Sequence, residues 1–438
     1  MPALFSAVVR PSRCRARHAG LTAAFTALLL IAGCGGGGGG GTDTAPATDK
    51  ISYLIETMKS WYLWRDRLPV QIEPTSFADV GQALEALRVS EDRYSNVVDA
   101  QSQERFYADG QTIAFGILYR IRAADLLLLM VSPNSPAYAA GMRRGQRILA
   151  IDGESIASLQ AEGRLDAAFG PVETGIVRRF TLDDHGTQRE PTVTKGLFDI
   201  TYVLADAVFE RAGRRIGYLA FHAFAEPGVA PWQDALDRLL AAGAQDLIVD
   251  LRTNGGGLIA TAATVGSAIA EMAGRTMTQL RFNDAHDSSN RAYLFREDPR
   301  AGRFDRLVWL TDGNTCSASE AMILGISAWH PGARIGSTTC GKPVGFTPTT
   351  FEDLVFNIVT FSLESPLGVR DYYDGLIPDC PVVDDGAGQL GEANETLTAA
   401  ALDWLETGMC PAAAGPTTKT GTASATRSAW PDPVRALQ

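Results

Sequence analysis

The stretch LVWLTDGNTCSASEAMIL (307–324) sets an apolar run, 307–311, before a polar loop and a second apolar stretch that opens at Ser317. The first part reads as a buried strand. The second reads as a helix whose start carries Ser317-Ala318-Ser319-Glu320, a serine at the cap with a glutamate three residues on, the pattern of a capping box. Working outward, 216–221 reads as a strand, 230–242 as an amphipathic helix, 247–251 as a buried strand and 260–272 as a helix rich in small residues. Alternation of strand and helix predicts an α/β layer architecture for 196–410.

A cap is the bland reading of Ser317, and two further features add chemistry to it. DLRTNGGG (250–257) places consecutive glycines at a strand end, where they expose backbone amides at little packing cost, and Lys342 lies in the glycine-containing run TTCGKP (338–343). A hydroxyl at a helix start, an amine to activate it and a nest of amides for an oxyanion are the parts of a serine peptidase that uses lysine in place of histidine. The helix N-terminus also favours developing negative charge. His222, in the run 219–224, is the rival base.

The chain has 438 residues, and at 45% apolar content it can bury a core across two or three domains. A net charge of −11, with no basic stripe beyond the first twenty residues, speaks against nucleic acid as partner and leaves protein or peptide. Arg10, Arg13, Arg15 and Arg17 precede the apolar run 21–32, which is too short to span a bilayer and has the form of a secretory signal. It ends Ile31-Ala32-Gly33-Cys34, which resembles the lipobox of bacterial lipoproteins and makes Cys34 the expected site of lipidation; a simple signal peptide with an incidental cysteine is the competing reading. A leader over 1–34, a glycine-rich tether over 35–48 and a disordered tail over 411–438 follow, so the expected location is the bacterial cell envelope, lipid-anchored to a membrane and facing the periplasm or exterior. Cys316, Cys340, Cys380 and Cys410 then remain, an even set that an oxidising compartment can pair in three ways. No metal is expected, because none of these cysteines forms a CxxC pair and the histidines are scattered.

In 49–110, Ile51, Leu54, Ile55, Met58, Trp61 and Tyr62 recur at helical spacing, so Trp61, Tyr62 and Trp64 are expected to pack in a small helical domain rather than stack on a ligand. The segment 111–195 opens on the strand-like run 113–117 and continues with 126–131, Ser135-Pro136-Ala137, Gly141, Gly145 and Ile151-Asp152-Gly153. This series resembles a PDZ domain of the circularly permuted bacterial kind. The resemblance makes Phe115, Gly116 and Ile117 a loop beside an open sheet edge that would receive a peptide as an added strand and hold its terminal carboxylate on backbone amides. A small β-rich domain without a ligand is the alternative.

Ser317-Ala318-Ser319-Glu320, Gly341-Lys342, DLRTNGGG and the run 374–379, DGLIPD, taken in that register together with the order helical segment, PDZ, core, resemble the C-terminal processing peptidases, or tail-specific proteases, over nearly all of 50–410. The resemblance implies an α/β, crotonase-like or ClpP-like catalytic core with an inserted PDZ domain and an N-terminal helical segment. It also implies Ser317 as nucleophile, Lys342 as general base, and an oxyanion held by the amide of Ala318 with one from Gly255 or Gly256, no cofactor being required. Lys342 is thereby preferred to His222. One departure stands out: many members carry GKGxxQ, whereas Pro343 follows the lysine here and Phe346 occupies the glutamine's place. Cys316 beside the nucleophile and Cys340 just before the base would tie the two loops together if they bonded to each other. A catalytically weak or inactive peptide-binding scaffold is the second reading. Acyl-CoA chemistry, which the same core supports elsewhere, is opposed by the export signal, the PDZ resemblance and the Ser–Lys pair.

Overall fold

The computed structural model describes residues 47–410; the leader, Cys34, the glycine tether and the 411–438 tail lie outside the described residues. The main sheet runs Val203–Arg211, Arg214–Phe221, Asp246–Asp250, Arg306–Thr311, Gly332–Gly336 and Cys380–Pro381, in that spatial order. The first two form an antiparallel hairpin and every later neighbour is parallel. Parallel strands need crossovers, and the helices Val229–Ala241, Ile259–Ser267 and Ala318–Ser327 lie in those connections.

Such a sheet is buried on both faces, which is why Asp246–Asp250 is buried throughout. Successive residues point to opposite sides. Leu247, Val249 and Trp309 therefore pack with Trp232, Leu236 and Met322 from the crossover helices, while Ile248, Val308 and Leu310 meet Leu397, Ala401 and Leu405 of the helix Thr396–Thr407. Each such large side chain removed from water contributes about 1.5–3 kcal/mol. A second, antiparallel sheet orders Arg291–Leu294, Thr276–Phe282, Val359–Glu364 and Val344–Phe346.

The N-terminal helices do not close a core by themselves. Ile51, Leu54, Met58 and Leu84, from Ala47–Trp61 and Val80–Leu87, pack against Val344, Phe356 and Val359, and Asn96–Asp99 adds to Leu354–Asn357 as an antiparallel strand. Of the three aromatics, Tyr62 is fully buried, whereas Trp61 stacks on His286, far along the chain, with ring centroids 3.5 Å apart.

The strand expected across 113–117 is broken at Gly116, whose φ of +88° turns the chain. Gln111–Ala114 pairs with Gly196–Asp199, so the chain enters and leaves the inserted sheet through one antiparallel neck. Between them Ile117–Ile121, Leu126–Val131, Arg147–Ile151, Val177–Asp184 and Thr187–Arg189 form a sheet around Phe115, Leu128, Ile148, Phe169 and Phe180. Arg144 reaches out of this unit, donating to Asp384 Oδ1 at 2.6 Å and Glu395 Oε1 at 3.0 Å. The same two carboxylates receive Arg252. Among the described residues no helix is long and apolar enough to cross a membrane.

Candidate active site

Asp246–Asp250, Arg306–Thr311 and Gly332–Gly336 are adjacent parallel strands, and the loops leaving their C-terminal ends carry Gly255, Ser317 and Lys342. Groups distant in sequence thus converge at one edge of the sheet, the place where open α/β sheets build sites. All three residues line one cavity of about 630 Å³, whose other walls include Leu258, Ile259, Leu280, Tyr293, Phe346 and Phe361.

Glu320 joins the Ser317 loop to the Lys342 loop. Its fully buried carboxylate accepts the backbone N–H of Ser317 at 2.9 Å, of Gly341 at 2.8 Å and of Lys342 at 2.8 Å, and the hydroxyl of Thr339. Burial raises its pKa above the usual carboxylate value, opposed by those four hydrogen bonds. The sequence marked this residue as half of a capping box. That half is formed, and the same carboxylate also reaches the loop of the candidate base. A second tie is covalent: Cys316 and Cys340 are disulfide-bonded with Cα atoms 5.2 Å apart, and Cys380 pairs with Cys410. Cys316, Glu320 and Cys340 are the one group of metal-ligand atoms found among the described residues, lying within 4.8 Å of one another, but both sulfurs are spent on each other.

Ser317 sits at φ 57°, ψ −114°, a conformation that costs about 1–3 kcal/mol and persists only where its surroundings enforce it. The surroundings are explicit. Asn254, fully buried, accepts the N–H of Cys316 at 3.2 Å and the hydroxyl of Ser319 at 3.0 Å, so the glycine loop and the helix start are bonded together. A Cβ on Gly256 would lie 2.7 Å from the Cys316 carbonyl oxygen and 2.9 Å from Ser317 Cβ, which is why this position is glycine. The Gly256 amide, however, donates to Asn254 Oδ1 at 2.9 Å. Of the expected pair Gly255 or Gly256, Gly256 is therefore engaged within its own turn, and Gly255 is the one that lines the cavity with Ser317; Ala318, the first helical residue, is fully buried and is not part of the cavity lining. The run 374–379 also packs here: Leu376 N–H donates to Thr339 Oγ1 at 2.7 Å, and a Cβ on Gly341 would strike the Gly375 nitrogen at 2.6 Å.

His222 is 3% exposed and is absent from the cavity lining; burial pushes its pKa down to about 4. Tyr94, Asn254 and Thr339 touch the site's loops without having been singled out from the sequence. Asn254 and Thr339 lay inside motifs read for other residues, while nothing local marks Tyr94.

In the inserted domain Ile117–Ile121 is an edge strand, paired on one side with Leu126–Val131. Phe115 and Ile117 are fully buried side chains, and the carbonyls of Phe115 and Gly116 accept the N–H groups of Ala137 and Ser132 at 3.0 and 2.9 Å. Lys195, buried beneath this loop, places Nζ 5.2 Å from the Phe115 ring centroid and donates to the Gly170 and Pro171 carbonyls. Burial, with Arg178 adding to it, lowers its pKa to about 8.

Residues 215–382 match the model of peptidase family S41, residues 52–96 that of the peptidase S41 N-terminal domain, and residues 130–165 that of a PDZ domain. The chain is 26% identical over 374 residues to a carboxyl-terminal-processing protease of Picosynechococcus sp., covering 81% of this chain and 86% of the relative. It is 25% identical over 321 residues to a protein of the same name from Synechocystis sp., covering 69% and 70%. In fold it resembles an S41 protease from Bacteroides fragilis, with a TM-score of 0.63 at 21% identity over 81% of this chain and 96% of that one.

Proposed function

This chain belongs to the S41 peptidases and is a serine-type peptidase, and we propose that it is an endopeptidase of the bacterial cell envelope that cleaves proteins or peptides near their C-termini through Ser317 and Lys342. The observation that carries the site assignment is the single buried carboxylate of Glu320 bonded to the backbone of both residues on one cavity wall. In this reading the Ser317 hydroxyl oxygen attacks the scissile carbonyl carbon while its proton passes to the neutral Lys342 amine. The carbonyl oxygen becomes an anion facing the amides of Ala318 and Gly255, each such donor being worth about 3 kcal/mol in related acyl transfers. Collapse breaks the C–N bond, the lysine ammonium returns the proton to the leaving amine, and water then releases the acyl group by the same steps. No cofactor enters.

Phe115, Gly116 and Ile117 are proposed to receive a substrate's free C-terminus: the edge strand accepts an added strand, and the inward-facing carbonyls leave the loop's amides for the carboxylate. Cys34 is proposed to carry the lipid that holds the enzyme to a membrane; the expectation predicts that Cys34→Ser moves it to the soluble envelope fraction.

The decisive experiment compares Ser317→Ala, Lys342→Ala and Lys342→Arg in peptide hydrolysis and in labelling by a small serine-directed phosphonate. All three should be inactive, the arginine variant included, because a guanidinium stays protonated and accepts no proton. Wild-type turnover in Ser317→Ala overturns the nucleophile. The departure at Phe346 favours the second reading, a weakly active or inactive peptide-binding scaffold, and failure of the wild type to label decides for it.

A further inference from the structure

The loop that carries Lys342 is fixed at its backbone: Glu320 holds the N–H, Pro343 restricts the lysine that precedes it, and the Pro343 carbonyl accepts Leu363 N–H at 2.7 Å. The Lys342 side chain lines the same cavity as Ser317, and so does Phe346. Two aromatic rings meet it. Lys342 Nζ lies 4.5 Å from the Phe346 ring centroid and 5.5 Å from that of Tyr94, both within the range of a cation–π contact.

Neither ring is loosely placed. Tyr94 is 3% exposed, its hydroxyl donates to the Gly341 carbonyl, one residue before the lysine, and Arg93 Nε donates to Tyr94 Oη at 3.2 Å. The turn that presents it is built by buried Asp92, whose carboxylate accepts the N–H groups of Tyr94 and Ser95 at 3.1 and 2.9 Å. Phe346 is held in the second sheet, opposite Val359, and lines the cavity with Ser317.

We propose that Tyr94, from the N-terminal segment, and Phe346 are positioning residues for Lys342: an aromatic clamp that orients its side chain on the cavity wall and stabilises the ammonium formed when it takes the serine proton. The inference rests on the serine–lysine reading. A π face suits this task because it attracts the ammonium without donating a hydrogen bond to the lone pair that must accept the proton. The clamp makes the N-terminal segment part of the catalytic apparatus.

The test measures kcat/KM against pH and the rate of phosphonate labelling for Phe346→Leu, Phe346→Tyr, Tyr94→Leu and Lys342→Ala, each below its melting temperature. Leucine keeps the wall apolar and removes the π face. Phe346→Leu should lose about tenfold in labelling rate, with the rising limb of the pH profile moved to lower pH, and Phe346→Tyr should restore both. Tyr94→Leu should act in the same direction; because Tyr94 is buried, the cavity-lining Phe346 variants carry the decision. An inert Lys342→Ala beside a Phe346→Leu with wild-type rate and pH profile overturns the clamp alone. Wild-type labelling of Lys342→Ala overturns the serine–lysine reading and the clamp with it.

Discussion

Two clusters of buried carboxylates serve different ends in this molecule. Glu320 is satisfied by three backbone amides and a threonine hydroxyl, all from the loops of Ser317 and Lys342. Asp384 and Glu395 are satisfied by the guanidinium groups of Arg144, from the inserted domain, and Arg252, two residues past the strand Asp246–Asp250 on the way into the glycine loop. A carboxylate held by amides fixes backbone geometry to within a hydrogen bond, which a reacting pair needs. A carboxylate shared by two long cationic side chains joins elements that approach from different directions. The pKa directions follow: burial leaves Glu320 raised, whereas for Asp384 burial is outweighed by Arg252 and Arg144, which hold it well below the usual range.

The largest expected effect is on the joining cluster. Asp384→Ala leaves Arg144 and Arg252 short of a buried partner and should cost about 3–5 kcal/mol of stability. Well below the melting temperature, phosphonate labelling of Ser317 should survive while turnover of long C-terminal substrates falls. Equal loss of both would erase the contrast between joining and positioning.

Breaking the covalent tie comes next. Replacing Cys316 and Cys340 together by alanine should cost about 3 kcal/mol on a chain-entropy estimate for the loop they close. Labelling should also fall, because the bond directly precedes Ser317. The matched Cys380 and Cys410 double variant, whose bond is not part of the cavity lining, should lose stability in chemical denaturation without slowing labelling.

Glu320→Gln should cost less stability, about 1–3 kcal/mol, since an amide matches only part of the donor set. Its labelling rate should nonetheless drop more than that of Asp384→Ala. Should the two variants rank the other way, the positioning role of Glu320 is lost.

The smallest effect is in acid. Asp384 has a depressed folded pKa, so its contribution is complete above the ordinary carboxylate range and is lost as pH falls through the lowered value; the stability gap between wild type and Asp384→Asn should shrink below about pH 4. Glu320 has a raised folded pKa, so the folded state holds its proton the more tightly. Wild type should gain on Glu320→Gln as pH falls through that raised value, and lose the gain as pH rises again. Denaturant melts across this range distinguish the two signs. Gly116→Val tests the peptide loop in the same spirit: at φ +88° its Cβ would meet Ser135 Cβ at 2.0 Å, so the loop itself should be displaced and preference for free over amidated C-termini lost, with serine labelling little changed.

Much of this was legible in one dimension because its physics is local. Apolar runs bounded by polar loops located the strands Leu126–Val131, Arg214–Phe221, Asp246–Asp250 and Arg306–Thr311 and the helices between them. Ser317, Lys342 and the glycine run could be singled out because a hydroxyl, an amine and exposed amides leave a mark in residue type, and the fold brings Gly255, Ser317 and Lys342 to one cavity. The limits of local reading are equally specific. The run 113–117 looked continuous, but the φ of Gly116 is set by the approach of Ser135 across the domain. The N-terminal helices showed a clean apolar stripe that said nothing of its partner, which proved to be the strands following Lys342. Glu320 was visible only as a cap, since the amides of Gly341 and Lys342 come to it through space, and of three possible cysteine pairings the fold selected the one that binds the two loops. Tyr94 carried no signal at all. Residue chemistry and periodicity belong to the chain and can be read from it; which groups meet across a sheet edge depends on strand order and closure, and that was decided only by the tertiary structure.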